Sequence, residues 1–232
     1  MKQVIWLSLF VCMLFSKNIR AQDWPNLSRY ASENAKLGMP DKGEKRVVLM
    51  GNSITEGWVQ ARPDFFAITG FIGRGISGQT TPQMLIRFRD DVVDLKPAVV
   101  AILAGTNDIA GNTGLTNNDM ILDNIKSMAE IASANGIQVI LCSVLPAFDY
   151  PWRPGLEPWK RVLELNASMQ AYAAAEGFYY LDYHAAMVND HHGMDEDLAY
   201  DGIHPTAAGY QVMEPLLENA VEEVLRKLSA NK

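Results

Sequence analysis

Two cysteines in 232 residues leave no room for a disulfide framework. Cys12 lies inside an apolar N-terminal run. Cys142 sits in the strand-like stretch Val139-Ile140-Leu141-Cys142-Ser143-Val144 and reads as a small buried hydrophobe. Positive charge is also short. Twenty Lys and Arg face 27 Asp and Glu, for a formal charge of −7 and a pI near 5.1. That balance argues against nucleic acid or an anionic membrane surface as partner. After residue 22 there is no repeat, low-complexity tract or linker, and no long apolar segment that could serve as a lipase lid. The acidic and histidine-rich stretch His191, His192, Asp195, Glu196, Asp197 has no regular ligand spacing, so no metal is expected there.

The one long apolar run is at the start. Lys2 is followed by apolar residues from Val4 to Phe15, and Ala21 closes a short polar stretch. A charged start, an apolar middle and a small residue at the end make a secretory signal, and the run is short for a membrane span. Residues 1–21 are therefore expected to be a cleaved signal peptide, with retention as an anchor the alternative. Residues 22–232 are expected to form one secreted or periplasmic domain with no stable membrane insertion. Cleavage would remove Lys2, Lys17 and Arg20 and no acid, and so leave the chain more acidic.

Five apolar runs have strand length: Val47–Met50, Ile68–Ile72, Ala98–Leu103, Ile137–Val144 and Phe178–Leu181. Helical periodicity lies between and after them. Ile121, Ile125, Met128 and Ala132 mark a helix over 117–135, and Val162, Leu165, Met169 and Tyr172 one over 157–176, ending at Gly136 and Gly177. A weak helix is expected from Arg29 to Leu37. The last helix carries Val212, Leu216, Val221, Val224, Leu225 and Leu228, and Pro215 should kink or restart it. Strands alternating with helices imply a parallel sheet covered on both faces, an α/β/α three-layer fold with five strands.

Chemistry collects where the first three runs end. Gly51-Asn52-Ser53 follows the first, Gly73-Arg74-Gly75-Ile76-Ser77-Gly78 the second and Gly105-Thr106-Asn107-Asp108 the third. In a parallel sheet these turns share one edge. A fourth motif, Asp201-Gly202-Ile203-His204-Pro205, precedes the last helix, with Pro205 expected at its first position. Across the Gly202 turn the Asp201 carboxylate can hold Nδ1 of His204, which leaves Nε2 free to take a proton from a serine. Ser53 is then the nucleophile, His204 the base and Asp201 its orienting acid. The N–H of Ser53, the N–H of Gly75 and the amide of Asn107 are the candidate oxyanion donors. Gly75 is placed there because, without a Cβ, its N–H can come close to substrate.

These four blocks resemble the SGNH, or GDSL-type, hydrolases: Ser53, Gly75, Asn107 and His204 match in order, with Asp201 three residues before the histidine. The resemblance runs from about Val47 to Tyr210. It implies a flavodoxin-like sheet of order 2-1-3-4-5 and esterase or acylhydrolase activity without a cofactor. Within the family the chain looks most like secreted bacterial acylhydrolases of the platelet-activating-factor acetylhydrolase-like kind. It departs at Asn52, where the usual block has aspartate, and Asn52 is expected to brace the turn without a catalytic role.

Other readings were open. Gly73-x-Gly75-x-x-Gly78 spells a dinucleotide fingerprint, but no acid closes the next strand, so nucleotide binding is not expected. An α/β-hydrolase elbow would want glycine two residues after Ser53, where Thr55 stands. In the loop after the fourth run, Tyr150 and Trp152 could line a sugar or acyl pocket or simply pack, and Arg153 could meet an acidic group of the substrate. His184 is expected to be structural. The expected substrate is a small-molecule or carbohydrate ester with a short acyl group such as acetyl. Lysophospholipase or thioesterase action, and a non-catalytic carbohydrate-binding protein on the same fold, are the alternatives.

Overall fold

The computed structural model describes residues 23–230. The expected signal peptide, residues 1–21, lies outside them. The described elements, in order, are α1 (Ala31–Leu37), β1 (Val47–Gly51), α2 (Ser53–Ala61), α3 (Pro63–Thr69), β2 (Ile72–Gly75), α4 (Thr81–Asp91), β3 (Val99–Ile102), α5 (Thr106–Ile109), α6 (Asn118–Ala134), β4 (Gln138–Cys142), α7 (Trp159–Glu176), β5 (Tyr179–Leu181), α8 (Tyr183–Met187) and α9 (Ala207–Ala230). The strands are parallel and ordered β2-β1-β3-β4-β5, as the resemblance implied.

Successive side chains of a strand point to opposite faces, and two cores follow. Val48, Met50, Val100, Ile102, Val139 and Leu141 pack with Met84 and Phe88 of α4 and Ile121 and Ile125 of α6. Val47, Leu49, Val99, Ala101 and Ile140 pack on the other side with Trp58 of α2 and Met213 and Leu217 of α9. Trp58 stacks between Phe65 and Tyr210, at 5.7 and 5.5 Å between ring centroids, which ties α2 to α3 and α9. Cys142 is buried as expected, and burial pushes its thiol well up, away from thiolate.

Several local expectations differ from the structure. The second strand is not Ile68–Ile72 but Ile72–Gly75. Ile68 belongs to α3 and is 85% exposed, and Gly70 ends that helix in the left-handed conformation. Gly73, Arg74 and Gly75, expected in a turn, are paired in β2 opposite Leu49, Met50 and Gly51. Of the two effects expected of Pro215, a kink or a restart, the restart does not occur, since the last helix is continuous over Ala207–Ala230. A proline removes one hydrogen bond there, and buried Tyr210, Met213 and Leu217 on either side hold the helix to the sheet. Pro205 is not at the first helical position: it precedes Thr206, whose Oγ1 accepts the N–H of Gly209 and caps α9. Among the described residues no helix is long and apolar enough to cross a membrane.

Candidate active site

Ser53 opens α2 directly after β1. Asn52 is the N-cap; its buried side chain accepts the N–H of Ile54 at 3.1 Å. The brace expected of Asn52 is thus a helix cap, which needs the amide oxygen and no charge. As the first helical residue, Ser53 has an N–H with no intrahelical acceptor, and the positive end of the helix dipole lies behind its hydroxyl.

The turn Asp201–His204 brings the base. One oxygen of Asp201 accepts the N–H of Ile203 at 3.0 Å and of His204 at 2.7 Å. The other meets Nδ1 of His204 at 2.7 Å. The same carboxylate therefore folds the turn and aims the ring. Nε2 of His204 then lies 2.9 Å from Oγ of Ser53. Burial works to raise the Asp201 carboxyl, but the bonds from the His204 N–H, the His204 ring and the Ile203 N–H outweigh it and hold it below the usual carboxylate value. An imidazole held so by an ionised carboxylate can take a hydroxyl proton through Nε2.

Ser53 and His204 border a cavity of about 360 Å³, together with Glu56, Gln60, Gly78 and Asn107. Asn107, at the start of α5, is 3% exposed; its Nδ2 donates to the carbonyl of Gln79 at 2.9 Å, which leaves one N–H of that amide uncommitted. Gly75 is not on this cavity. A Cβ on Gly75 would stand 2.2 Å from the backbone nitrogen of Glu56 and 2.5 Å from the carbonyl oxygen of Asn52. Glycine is needed there because α2 lies against β2, not because substrate comes close. The Ile76 N–H bonds back to Gly51 at 3.3 Å, so Gly75 addresses the outer edge, where its carbonyl accepts the Tyr30 phenol. Gly78, three residues on, does face the cavity, with φ +76° and open space where a Cβ would go. Among the described residues its N–H has no partner. The Gly-x-Gly-x-x-Gly spacing offered both glycines; only the depth of β2 distinguishes them.

The aromatic loop is split by the structure. Tyr150 is 1% exposed and bonds Thr106 through its hydroxyl at 3.0 Å; it underlies Trp152, at 5.0 Å, and does not reach the Ser53 cavity. Trp152 does border it, 6.0 Å from the His204 ring. Arg153 is exposed, but its Nη1 donates to the carbonyl of Ala110 at 2.5 Å, against Gly111, which ties it to the loop, and it does not border the Ser53 cavity. Tyr200, not foreseen from the sequence, is 71% exposed and lies nearly parallel to His204 at 5.7 Å. Its position one residue before Asp201 was the available signal. Asn112 also borders the cavity and accepts the Trp152 indole N–H at 3.3 Å. Glu56, also unforeseen, accepts the N–H of Ser77 at 2.9 Å and the hydroxyl of the same residue. His184 lies elsewhere, its N–H on Ser143, and His192 stacks on Trp159 at 4.2 Å. Among the described residues no group of His, Cys, Asp and Glu is placed to hold a metal.

A larger cavity, about 540 Å³, runs along α2 and the β2 edge past Tyr30, Val59, Phe66 and Phe71. It is lined by no serine, threonine or cysteine and shares Glu56 and Gln60 with the Ser53 cavity.

Comparison with known proteins agrees with this architecture. A GDSL-like lipase structure from Bacteroides thetaiotaomicron VPI-5482 is 51% identical, superposes with a TM-score of 0.83, and the alignment covers 86% of this chain and 98% of that one. Esterase TesA of Pseudomonas aeruginosa is 30% identical over 76% of this chain and 82% of its own length. An acetylxylan esterase of Xylanibacter ruminicola is 26% identical over 79% of this chain but only 44% of its own, so the chain spans less than half of that relative. The GDSL-like Lipase/Acylhydrolase family matches residues 49–212, which include Ser53, Asn107, Asp201 and His204. The chain belongs to that family.

Proposed function

We propose that this protein is a serine carboxylic ester hydrolase that removes short acyl groups, acetyl foremost, from carbohydrate or other small alcohols. The observation that carries the reading is the continuous chain Ser53 Oγ, His204 Nε2, His204 Nδ1, Asp201 Oδ2, with links of 2.9 and 2.7 Å, opening on a cavity. In this reading Ser53 attacks the ester carbonyl while His204 takes its proton. The tetrahedral oxyanion is met by the N–H groups of Ser53 and Gly78 and the free N–H of Asn107. His204 then returns the proton to the departing alcohol, and water, activated by the same imidazole, releases the acid from the acyl-Ser53 ester. Asp201, held below the usual carboxylate value, is the charged partner that stabilises the imidazolium as it forms.

The alcohol side supports a sugar. Around Ser53 the wall is polar, with Glu56, Gln60 and Asn112, and two partly exposed aromatic rings, Trp152 and Tyr200, flank His204. Polar groups that fix orientation beside aromatic faces suit a ring of hydroxyls with an apolar side. The similarity to an acetylxylan esterase points the same way. A second reading, action on longer acyl esters or thioesters, is favoured by the cavity past Val59, Phe66 and Phe71. Residues 22–232 would act as one exported catalytic domain, on the strength of the signal pattern in residues 1–21.

An acyl-length series of 4-nitrophenyl esters, with an acetylated oligosaccharide alongside, tests the proposal. Acetate turning over fastest, with a steep decline beyond butyrate, is the expected result. A maximum at octanoate or longer transfers the assignment to the second reading. Activity surviving in Ser53→Ala contradicts the nucleophile.

A further inference from the structure

The three oxyanion donors come from three separate segments: Ser53 after β1, Gly78 after β2 and Asn107 after β3. Donors are effective only when held within about half an ångström of the productive geometry. Something must therefore keep these segments in register, and a buried clamp behind the site does so.

Its first part is Arg87 of α4, which is 0% exposed. Its Nη2 donates to the carbonyl of Gly51 at 2.8 Å and of Arg74 at 3.0 Å, joining the ends of β1 and β2. Nη1 meets Asp91 at 2.8 Å, and Nε donates to Oε1 of Gln79 at 2.6 Å. Burying a guanidinium is a poor way to gain stability, since a hydrophobic group of similar volume is often as good. What the cation supplies is a fixed set of bonds to the segments that carry Ser53 and Gly78.

The second part is Gln79, 3% exposed. Its side chain is gripped at both ends, with Oε1 on Arg87 and Nε2 donating to the carbonyl of Pro25 at 2.7 Å. Its backbone carbonyl accepts Nδ2 of Asn107 at 2.9 Å. A carbonyl can only accept, so this bond fixes which end of the Asn107 amide faces Gln79 and leaves the second hydrogen of that nitrogen free. Gly78 is the residue immediately before. Both remaining donors thus depend on one short segment: the Gly78 N–H belongs to the Ser77–Gly78 peptide, and the carbonyl that holds Asn107 to the Gln79–Thr80 peptide, with the clamped Gln79 residue joining them. The segment before α1 is the outer jaw: besides Pro25, the carbonyl of Trp24 accepts Nε2 of Gln83 at 2.8 Å, the Tyr30 phenol bonds Gly75, and Arg29 meets Glu56 at 3.4 Å, the carboxylate that holds Ser77.

We propose that Gln79 is a positioning residue for ester hydrolysis: clamped between Arg87 and the Pro25 carbonyl of the N-terminal segment, it sets the Gly78 N–H and the Asn107 amide toward the oxyanion. The inference rests on the serine-esterase reading above.

The test is a double-mutant cycle on 4-nitrophenyl acetate. Gln79→Met keeps the length of the side chain and removes both side-chain bonds. It should lower kcat about 10-fold, less than the roughly 10²–10³-fold lost when an oxyanion donor is deleted, because here the donors are displaced and not deleted, with KM within twofold. In an Asn107→Ala background the same change should cost threefold or less, because part of what Gln79 positions is already gone. A purely structural role would give the same factor in both backgrounds, and that result overturns the proposal. So does a folded Gln79→Met enzyme with wild-type kcat. Arg87→Lys, which keeps a buried cation beside Asp91 but loses the bond from Nε to Gln79, is the second variant and should show the same loss and the same non-additivity. If neither variant folds, the clamp is a folding element and the positioning claim fails. An inactive wild type would instead overturn the esterase reading itself, whereas an active wild type with unaffected variants overturns this inference alone.

Discussion

A single methyl group at Gly75 separates two explanations of that glycine. Built on the backbone, the Cβ of Gly75→Ala falls 2.2 Å from the nitrogen of Glu56, 2.5 Å from the oxygen of Asn52 and 2.7 Å from the carbonyl carbon of Thr55. Non-bonded carbon contacts are comfortable at about 3.5–4.0 Å, so the first turn of α2 must retreat by roughly 1–1.5 Å. All three obstacles are main chain, and none can swing away. The cost therefore belongs at or above the top of the overpacking range, about 3 kcal/mol. For a chain of this size that lowers Tm by roughly 6–12 °C. The displaced turn carries Ser53, and a misplacement near 1 Å costs on the order of 100-fold in kcat. Gly78→Ala is the control. Its Cβ meets nothing within 4 Å. Only the left-handed φ is penalised, at about 1–2 kcal/mol, so it should melt several degrees above Gly75→Ala. Calorimetry and nitrophenyl acetate kinetics on both variants decide the matter. A Gly75→Ala protein that melts with wild type and shows only a raised KM would refute the packing argument and return Gly75 to the substrate.

Further outcomes follow from other bonds. Asp201→Asn keeps an oxygen for the Ile203 and His204 N–H groups but turns a donor toward Nδ1, forcing the proton onto Nε2; kcat should fall about 10³–10⁴-fold with little change in Tm, as judged by steady-state kinetics and thermal melts. Asp108 is buried against the N–H and hydroxyl of Thr81, and burial raises its carboxyl to about 6 despite those bonds. A carboxyl raised from 3.8 to about 6 contributes stability that is full below pH 3.8 and lost as pH rises through 6. Relative to Asp108→Asn, wild type should therefore lose on the order of 3 kcal/mol between pH 4 and pH 7 in denaturant titrations. A difference that stays constant over that range would contradict the burial argument.

The sheet was readable because each central strand is a continuous apolar run buried on both sides, and β1, β3 and β4 fall within two residues of their expected ends. The edge strand β2 was not. Its sequence is Ile-Gly-Arg-Gly, and the glycines that disguise it are imposed by α2, whose Val59 and Glu56 occupy the space side chains would need. Ile68, where the expected strand began, belongs to α3, whose Phe65 and Phe66 feed the Trp58 cluster. With the strand expected too early, the glycine expected to face the site was Gly75, whereas the one that borders the Ser53 cavity is Gly78. The arrangement of Ser53, Asp201 and His204 was legible because it is local: a cap, a short turn and one hydrogen bond between them. Tyr150, Trp152 and Arg153 were not separable, since adjacent loop residues face different ways and only the bonds to Thr106 and Ala110 show which side chains are tied back to the loop. Arg87 and Gln79 gave no motif at all; their role depends on four segments meeting behind the sheet edge.

The most direct measurement of the central claim is labelling by a fluorophosphonate, followed by intact mass and peptide mapping. One phosphonyl group per folded chain, on Ser53, with labelling abolished in Ser53→Ala and slowed in His204→Ala, is the predicted result. Label on another residue, or a folded and ester-hydrolysing protein that takes no label on Ser53, would contradict it.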